Sequence, residues 1–336
     1  MSLNTIEEIA SYIVSDGKGI LAADESNPTC TKRFDTIGVE STEESRRDYR
    51  EMLFRSGGIQ GNIGGVILFD ETIRQNAKDG TSLVDLMNSQ GALPGIKVDK
   101  GLQPIGDSDE TVTVGLEGLD ERLKEYALLG AKFTKWRAVI KIGNNLPTDN
   151  CIDANMKALA DYAKVVQDNG MVPMVEPEVL MEGNHSIEEC FAATERSLKS
   201  LFHHLKENGV NIKGTILKPN MVTAGSTCSN QASIDEVAQK TLDCLRANVP
   251  SELPAITFLS GGQSELLATA HLDAMNKIGG FDWKLSFSYG RALQAPTLKA
   301  WMGKPENIFI AQDALSHRAK MNQLAALGQW DKGLED

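Results

Sequence analysis

Eight short apolar runs, separated mostly by segments of helical periodicity, constrain this 336-residue chain more than any other feature. They fall at 19–25 (GILAADE), 64–71 (GGVILFDE), 94–99 (PGIKVD), 133–142 (FTKWRAVIKI), 171–179 (MVPMVEPEV), 214–225 (GTILKPNMVTAG), 255–262 (AITFLSGG) and 284–290 (KLSFSYG). Runs this short and this apolar read as strands buried on both faces, as in a parallel sheet covered by helices. Helical spacing marks 5–15, 41–54, 82–88, 115–129, 153–167, 186–206, 233–247 and 264–276, several of them opened by capping signatures such as STEE and SIEE. No linker, composition shift or 20–50-residue repeat interrupts the alternation. The expectation is an α/β chain forming a closed (β/α)8 TIM barrel, a single domain over 1–336. Its strands lie within about 19–290, after an N-terminal helix and before a C-terminal helical segment of about 291–336. With 41% apolar and 24% charged residues, such a chain can bury a large core without staples.

A net charge of −12 argues against nucleic acid or an anionic membrane as principal partner, while a local basic cluster could still take an anionic small molecule. The five cysteines are widely spaced with no CxxC pair, which reads as reduced thiols. The opening MSLNTIEEIASYIV is acidic and amphipathic, with no basic-then-apolar signal, and no run reaches membrane-spanning length. Both features lead to the expectation of a cytoplasmic protein.

Barrels of this kind carry their chemistry at the carboxyl ends of the strands. Polar residues cluster there: Asp24, Glu25, Lys97, Asp99, Lys135, Arg137, Glu176, Glu178, Lys218, Ser260, Ser288 and Arg291. Residues two apart share a strand face, so Lys97 with Asp99, Lys135 with Arg137, and Glu176 with Glu178 can each point together into one opening. Lys218 is the sharpest candidate. A lysine removed from water has a lowered pKa, and the neutral amine is the form that attacks a carbonyl carbon. The competing readings are an ammonium snorkelling to the surface and a structural network of mutually neutralising charges. Asp70 and Glu71 read as structural. Two glycine-containing stretches, Ser260-Gly261-Gly262 and Ser288-Tyr289-Gly290-Arg291, lie after strands seven and eight, where such barrels bind phosphate. No His/Cys cluster has metal spacing, and no G-x-G-x-x-G follows a strand, so neither a metal nor a dinucleotide is expected.

In these stretches the chain resembles the class I fructose-1,6-bisphosphate aldolases. GKGILAADES, GGVILFDET, GIKVDKG, KWRAVIKIG, VPMVEPEV, GTILKPNMVT, ITFLSGGQSE and SFSYGRALQAPTLKAW occur in the family's order between about residues 5 and 310. The resemblance implies a homotetramer acting on a phosphorylated ketose without metal or other cofactor, through a covalent Schiff base on Lys218. The reaction it implies is reversible cleavage of fructose 1,6-bisphosphate to dihydroxyacetone phosphate and glyceraldehyde 3-phosphate. It also implies Glu176 as proton donor and acceptor with Glu178 beside it, Lys135 as charge partner of the nucleophile, and Asp24 near the C4 hydroxyl. Ser260, Gly261, Gly262, Ser288, Gly290 and Arg291 match the C1-phosphate site. Lys97, Arg137, Ser26, Arg33 and Arg46 match groups associated with substrate phosphate, at C6. Two departures stand out: NPTCTKR follows AADES where vertebrate members carry a glycine and a serine, and LGQWDKGLED ends the chain where they have a longer tail ending in tyrosine. A preference for a monophosphorylated ketose, action mainly in the condensation direction, and a non-catalytic binding module are the rival readings.

Overall fold

The structure is a computed structural model describing residues 3–335. Eight parallel strands close into a barrel: β1 (Gly19–Ala23), β2 (Ile63–Leu68), β3 (Leu93–Lys97), β4 (Phe133–Ile140), β5 (Val172–Val179), β6 (Ile216–Leu217), β7 (Ala255–Phe258) and β8 (Lys284–Tyr289). Each pairs with its sequence neighbours, and β1 pairs with both β2 and β8, Ile20 standing opposite Ser288 and Leu21 opposite Tyr289. Helices cover the outside of the barrel. An antiparallel hairpin, Leu102–Pro104 with Thr111–Thr113, stands in the connection after β3.

The two-residue period divides each strand between two cores. Outward side chains such as Leu21, Val66, Val175, Leu217 and Ile256 pack under the helices. Inward ones (Ile20, Ala22, Ile67, Phe133, Val172, Met174, Ile216 and Ala255) fill the lower half of the barrel, where Ile9, Ile13 and Val14 from the helix Ile6–Ile13 and its cap close the amino end. Gly95 makes room for this filling: a Cβ there would stand 2.3 Å from the Phe133 ring. Followed upward, the same inward rows change from apolar to charged. Ala22 gives way to Asp24, Phe133 to Lys135, Met174 to Glu176 and Ile216 to Lys218. A dry apolar plug below and water above leave the carboxyl end as the open face, and the row of charges lies at that boundary.

Several boundaries differ from the sequence reading. Regular pairing in β6 covers only Ile216 and Leu217 of the 214–225 run. One more ladder bond follows, from Lys218 N to Val175 O at 2.8 Å, and Pro219 then has no N–H to continue it. β1 and β7 end before the polar residues assigned to them, and Asp70 and Glu71 open the short helix Asp70–Ile73 instead of ending β2. The helix expected over 115–129 is Leu119–Leu128, with Leu116 outside it and exposed. A helix absent from the sequence reading, Asn27–Asp35, starts immediately after β1 with Pro28 in its first turn. No helix among the described residues is long and apolar enough to cross a membrane.

Candidate active site

The four inward charges form one connected chain at the top of the apolar plug. Lys218 Nζ lies 3.0 Å from Glu176 Oε1, Glu176 Oε2 lies 3.1 Å from Lys135 Nζ, and Lys135 Nζ donates to Asp24 Oδ2 at 2.9 Å. Neighbouring strands place them at nearly one height, since β4 and β5 pair with Lys135 opposite Met174 and Arg137 opposite Glu176. Lys135, Glu176 and Lys218 are each buried. Burial alone would raise the Asp24 carboxyl, but Lys135 and then Lys218 overcome it and hold the group well below the usual carboxylate range. Glu176 is lowered in the same way, its burial outweighed by Lys135, Lys218 and Arg137. Burial pulls the Lys135 ammonium down, and Asp24 and Glu176 more than restore it, so it stays charged. Both Glu176 oxygens face ammonium groups, Oε1 that of Lys218 and Oε2 that of Lys135, so the carboxylate is held between the two amines.

A second tier extends this layer. Lys97 Nζ binds the Asp99 carboxylate and carbonyl, and Arg137 Nε binds Glu178. The Asp99 carboxylate also lies 3.4 Å from the Arg137 backbone N–H. Asn220 ties β5 to the loop carrying Lys218, accepting from the Val179 N–H at 2.9 Å and donating to the Thr194 hydroxyl at 3.1 Å.

Across the opening, the ends of β7 and β8 are built differently. Ser288 Oγ is buried and has no partner among the described residues, and Gly290 is the N-terminal cap of the helix Arg291–Trp301. Arg291 gives one hydrogen bond, to the Gly261 carbonyl. Gly261 has φ +54°, a left-handed backbone that glycine adopts without strain. Unpaired backbone N–H groups at a helix start, a free hydroxyl and a guanidinium make a site suited to an anion. Gln263 supports this loop from behind. Its amide Nε2 faces Met221 Sδ at 3.5 Å, so its carbonyl accepts from His271 Nδ1 at 2.6 Å, and the buried His271 Nε2 has no partner among the described residues. Burial pushes the His271 pKa down to about 4.

These groups surround one cavity of about 1460 Å³. Asp24, Ser26, Arg33, Lys97, Lys135, Arg137, Glu176, Glu178, Lys218, Ser260, Gly261, Ser288, Gly290 and Arg291 all line it. Arg46 and Gly262 do not. Arg46 is turned to Glu71, which takes two bonds from it at 2.8 and 2.6 Å, and to the Ser41 carbonyl, an ion pair that ties the helix Glu43–Phe54 to the end of β2. Gly262 sits against Met181, whose methyl would lie 2.5 Å from a Cβ at that position. Sequence reasoning passed over Lys32, Lys100, Lys299 and Gln294, which also line the cavity. Lys32 had a visible signal, standing beside Arg33 in CTKR, whereas Lys299 is brought in only by the return of the helix after β8. Among the described residues, no group of three or more His, Cys, Asp or Glu side chains is arranged to hold a metal ion.

Comparison with known proteins agrees across the whole length. The family described as "Fructose-bisphosphate aldolase class-I" matches residues 5–336. The chain is 52% identical over 332 residues to the "Probable fructose-bisphosphate aldolase class 1" of Xanthomonas axonopodis pv. citri, covering 98% of this chain and 99% of that protein. It is 51% identical to "Fructose-bisphosphate aldolase 4, cytosolic" of Arabidopsis thaliana, covering 95% and 82% of the two chains. Among solved structures, a fructose-bisphosphate aldolase from Plasmodium falciparum, in complex with TRAP and a small-molecule inhibitor, superposes with a TM-score of 0.96 at 47% identity, over 98% of this chain and 95% of that one.

Proposed function

The chain belongs to the class I fructose-bisphosphate aldolase family, and from that premise we propose which of its residues carry the reaction. The reaction is aldol cleavage of fructose 1,6-bisphosphate to dihydroxyacetone phosphate and glyceraldehyde 3-phosphate, with its reverse, in glycolysis; the family implies a Schiff base and no metal. We assign the imine to Lys218 and proton transfer to Glu176. Lys135 is assigned to fixing charge, and Glu178, through Arg137, to supporting it.

The ammonium of Lys218 first passes a proton to Glu176, 3.0 Å away, which leaves a neutral amine. The amine attacks C2 of the open-chain ketose. Glu176 relays a proton from nitrogen to the C2 oxygen and then gives the proton it took from Lys218 to the departing hydroxyl, so that water leaves, a positively charged iminium remains and Glu176 is a carboxylate again. One of the two carboxylates flanking Lys135, Asp24 or Glu176, takes the C4 hydroxyl proton. The C3–C4 electron pair then flows into the iminium, and the aldehyde departs. The remaining enamine takes that proton back at C3, and water releases the ketone and restores the Lys218 ammonium. At the end of the cycle the four floor residues are back in their starting protonation states.

Ser260, Gly261, Ser288, Gly290 and Arg291 are assigned to the C1 phosphate, and Lys97, Ser26, Arg33 and Arg137 to the second phosphate or its approach; Arg46 and Gly262 act at most through neighbours. The observation that carries the proposal is an amine held 3.0 Å from a buried carboxylate, beside a second lysine, on the apolar floor of a deep cavity. Residues 1–336 are proposed to act as one domain, in the cytoplasm and as a homotetramer; the word cytosolic in the name of the Arabidopsis relative supports the second point, and the family resemblance the third. Borohydride reduction in the presence of dihydroxyacetone phosphate, followed by peptide mapping, tests the core assignment. The three-carbon unit is expected on Lys218, with loss of activity. An adduct on Lys135 or Lys97 overturns it.

A further inference from the structure

Glu25 follows Asp24 on the cavity wall, and no step above uses it. Its side chain is 6% exposed, and it collects three donors from three helices. Oε1 accepts from Arg33 Nη1 and from Gln294 Nε2 at 2.8 Å, and Oε2 accepts from Arg50 Nη2 at 2.9 Å. Two guanidiniums therefore share one carboxylate, leaving one positive charge over. Arg50 is 1% exposed and spends its Nε on the Ala23 carbonyl, so it cannot reach a ligand. The surplus charge belongs to Arg33, whose side chain is 28% exposed and lines the cavity. Its Nη2 makes no hydrogen bond among the described residues and lies 3.7 Å from where a Cβ on Gly290 would stand. Arg33 thus comes from the end of β1 to the glycine that caps the helix after β8.

The seam is closed by the β1–β8 ladder, and Arg50 and Gln294 join the helices on either side to the end of β1. Arg33 sits on the helix that follows β1 directly in the chain, so its contact with Glu25 chiefly orients a guanidinium. We propose that Glu25 is a positioning residue, fixing Arg33 beside the Gly290 cradle with one edge of its fork free for a phosphate oxygen. The inference rests on the phosphate-binding reading of that cradle, and it moves Arg33 from the second phosphate, to which the family resemblance assigned it, to the C1 phosphate.

The test uses the full-length protein, with inorganic phosphate as a competitive inhibitor of fructose 1,6-bisphosphate cleavage. Glu25→Gln is expected to raise both the phosphate inhibition constant and KM roughly tenfold with kcat changed much less, as loss of one oriented charge-assisted pair predicts. Arg33→Ala should do the same, and the double variant should be no worse than either single one. A purely structural Glu25 would give a loss independent of Arg33, and that additivity overturns the proposal. So does an unchanged phosphate constant in Arg33→Ala. Should Glu25→Gln not fold, Glu25→Asp, which keeps the charge but withdraws it by one methylene, goes through the same cycle. Arg291→Ala serves as control: if it too leaves phosphate inhibition unchanged, the phosphate reading of the cradle fails. If it weakens inhibition while Glu25 and Arg33 variants do not, only the role of Glu25 fails.

Discussion

The floor of the cavity and its β7–β8 wall treat charge in opposite ways. On the floor, Lys218, Glu176, Lys135 and Asp24 neutralise one another at 2.9–3.1 Å, and the carboxyls are held ionised by the ammonium groups. On the wall, among the described residues, Ser288 Oγ has no partner and the Arg291 guanidinium is bound to one carbonyl, while burial keeps the supporting His271 neutral beside Gln263. Groups that exchange protons need partners whose charge they can borrow at short range. Groups that grip a ligand must be left with hydrogen-bonding capacity unspent, and the fold separates the two tasks on different strands.

The largest effect should come from breaking the floor. Lys135→Met leaves Asp24 and Glu176 sharing one ammonium in a dry site, and an uncompensated buried charge costs about 3–5 kcal/mol. Thermal unfolding should show that loss, and cleavage by the folded fraction should fall by roughly 10²-fold or more as Glu176 loses its fixed ionisation state. Unchanged stability would mean that the floor is wetter and less tightly coupled than its geometry implies.

Acid should then reveal the contrast between floor and wall. His271 titrates at about 4 when folded and at 6.5 when unfolded, so the unfolded chain binds the extra proton between those values. Its contribution is present above pH 6.5 and is lost as pH falls toward 4, by roughly 3 kcal/mol. The depressed carboxyls of Asp24 and Glu176 keep theirs down to their unfolded values near 4 and lose it only below that. Acid denaturation should therefore weaken the wall before the floor, and His271→Gln should flatten the stability profile between pH 6.5 and 4 alone. A profile unchanged by that substitution would remove the distinction.

The smallest effect is the most specific. Arg291→Lys keeps a charge on the wall but loses the planar fork, and substrate binding should weaken roughly tenfold, about 1.4 kcal/mol. Arg291→Ala should cost more and also lower turnover, because the phosphate contact holds the ketone against Lys218. Unphosphorylated ketoses should be indifferent to both changes. Equal losses with and without phosphate would make Arg291 part of the framework.

How much of this was readable beforehand follows from the range of each interaction. Strand rows are local, and the inward step from Phe133 to Lys135 to Arg137 is a two-residue period visible in FTKWR. The barrel followed from eight such rows. The helix Asn27–Asp35 was not visible because NPTCTKRFD has only Cys30 and Phe34 to bury, too few to show a periodicity. Arg46 shows the other limit. Its charge suits a phosphate as well as it suits Glu71, 25 residues away, and only the packing of its helix against the end of β2 decides between them. Gly262 was assigned to a ligand, yet its missing side chain is accounted for by Met181.

The seam between the first and last strands has a consequence for assembly in time. β1 cannot complete its hydrogen bonding until β8 has been synthesised some 265 residues later, and Gln294, donating to the Ala22 carbonyl at 2.7 Å, arrives later still. Contacts this distant along the chain form slowly, and a ribosome-bound intermediate carries an open sheet with two exposed edges. Asp24 and Arg291 lie on opposite sides of that seam, so catalytic competence should emerge only with the last closure. A truncated or stalled chain can own every residue of the floor except a properly placed Asp24. In a synchronised translation, the first appearance of cleavage would therefore serve as a clock for barrel closure.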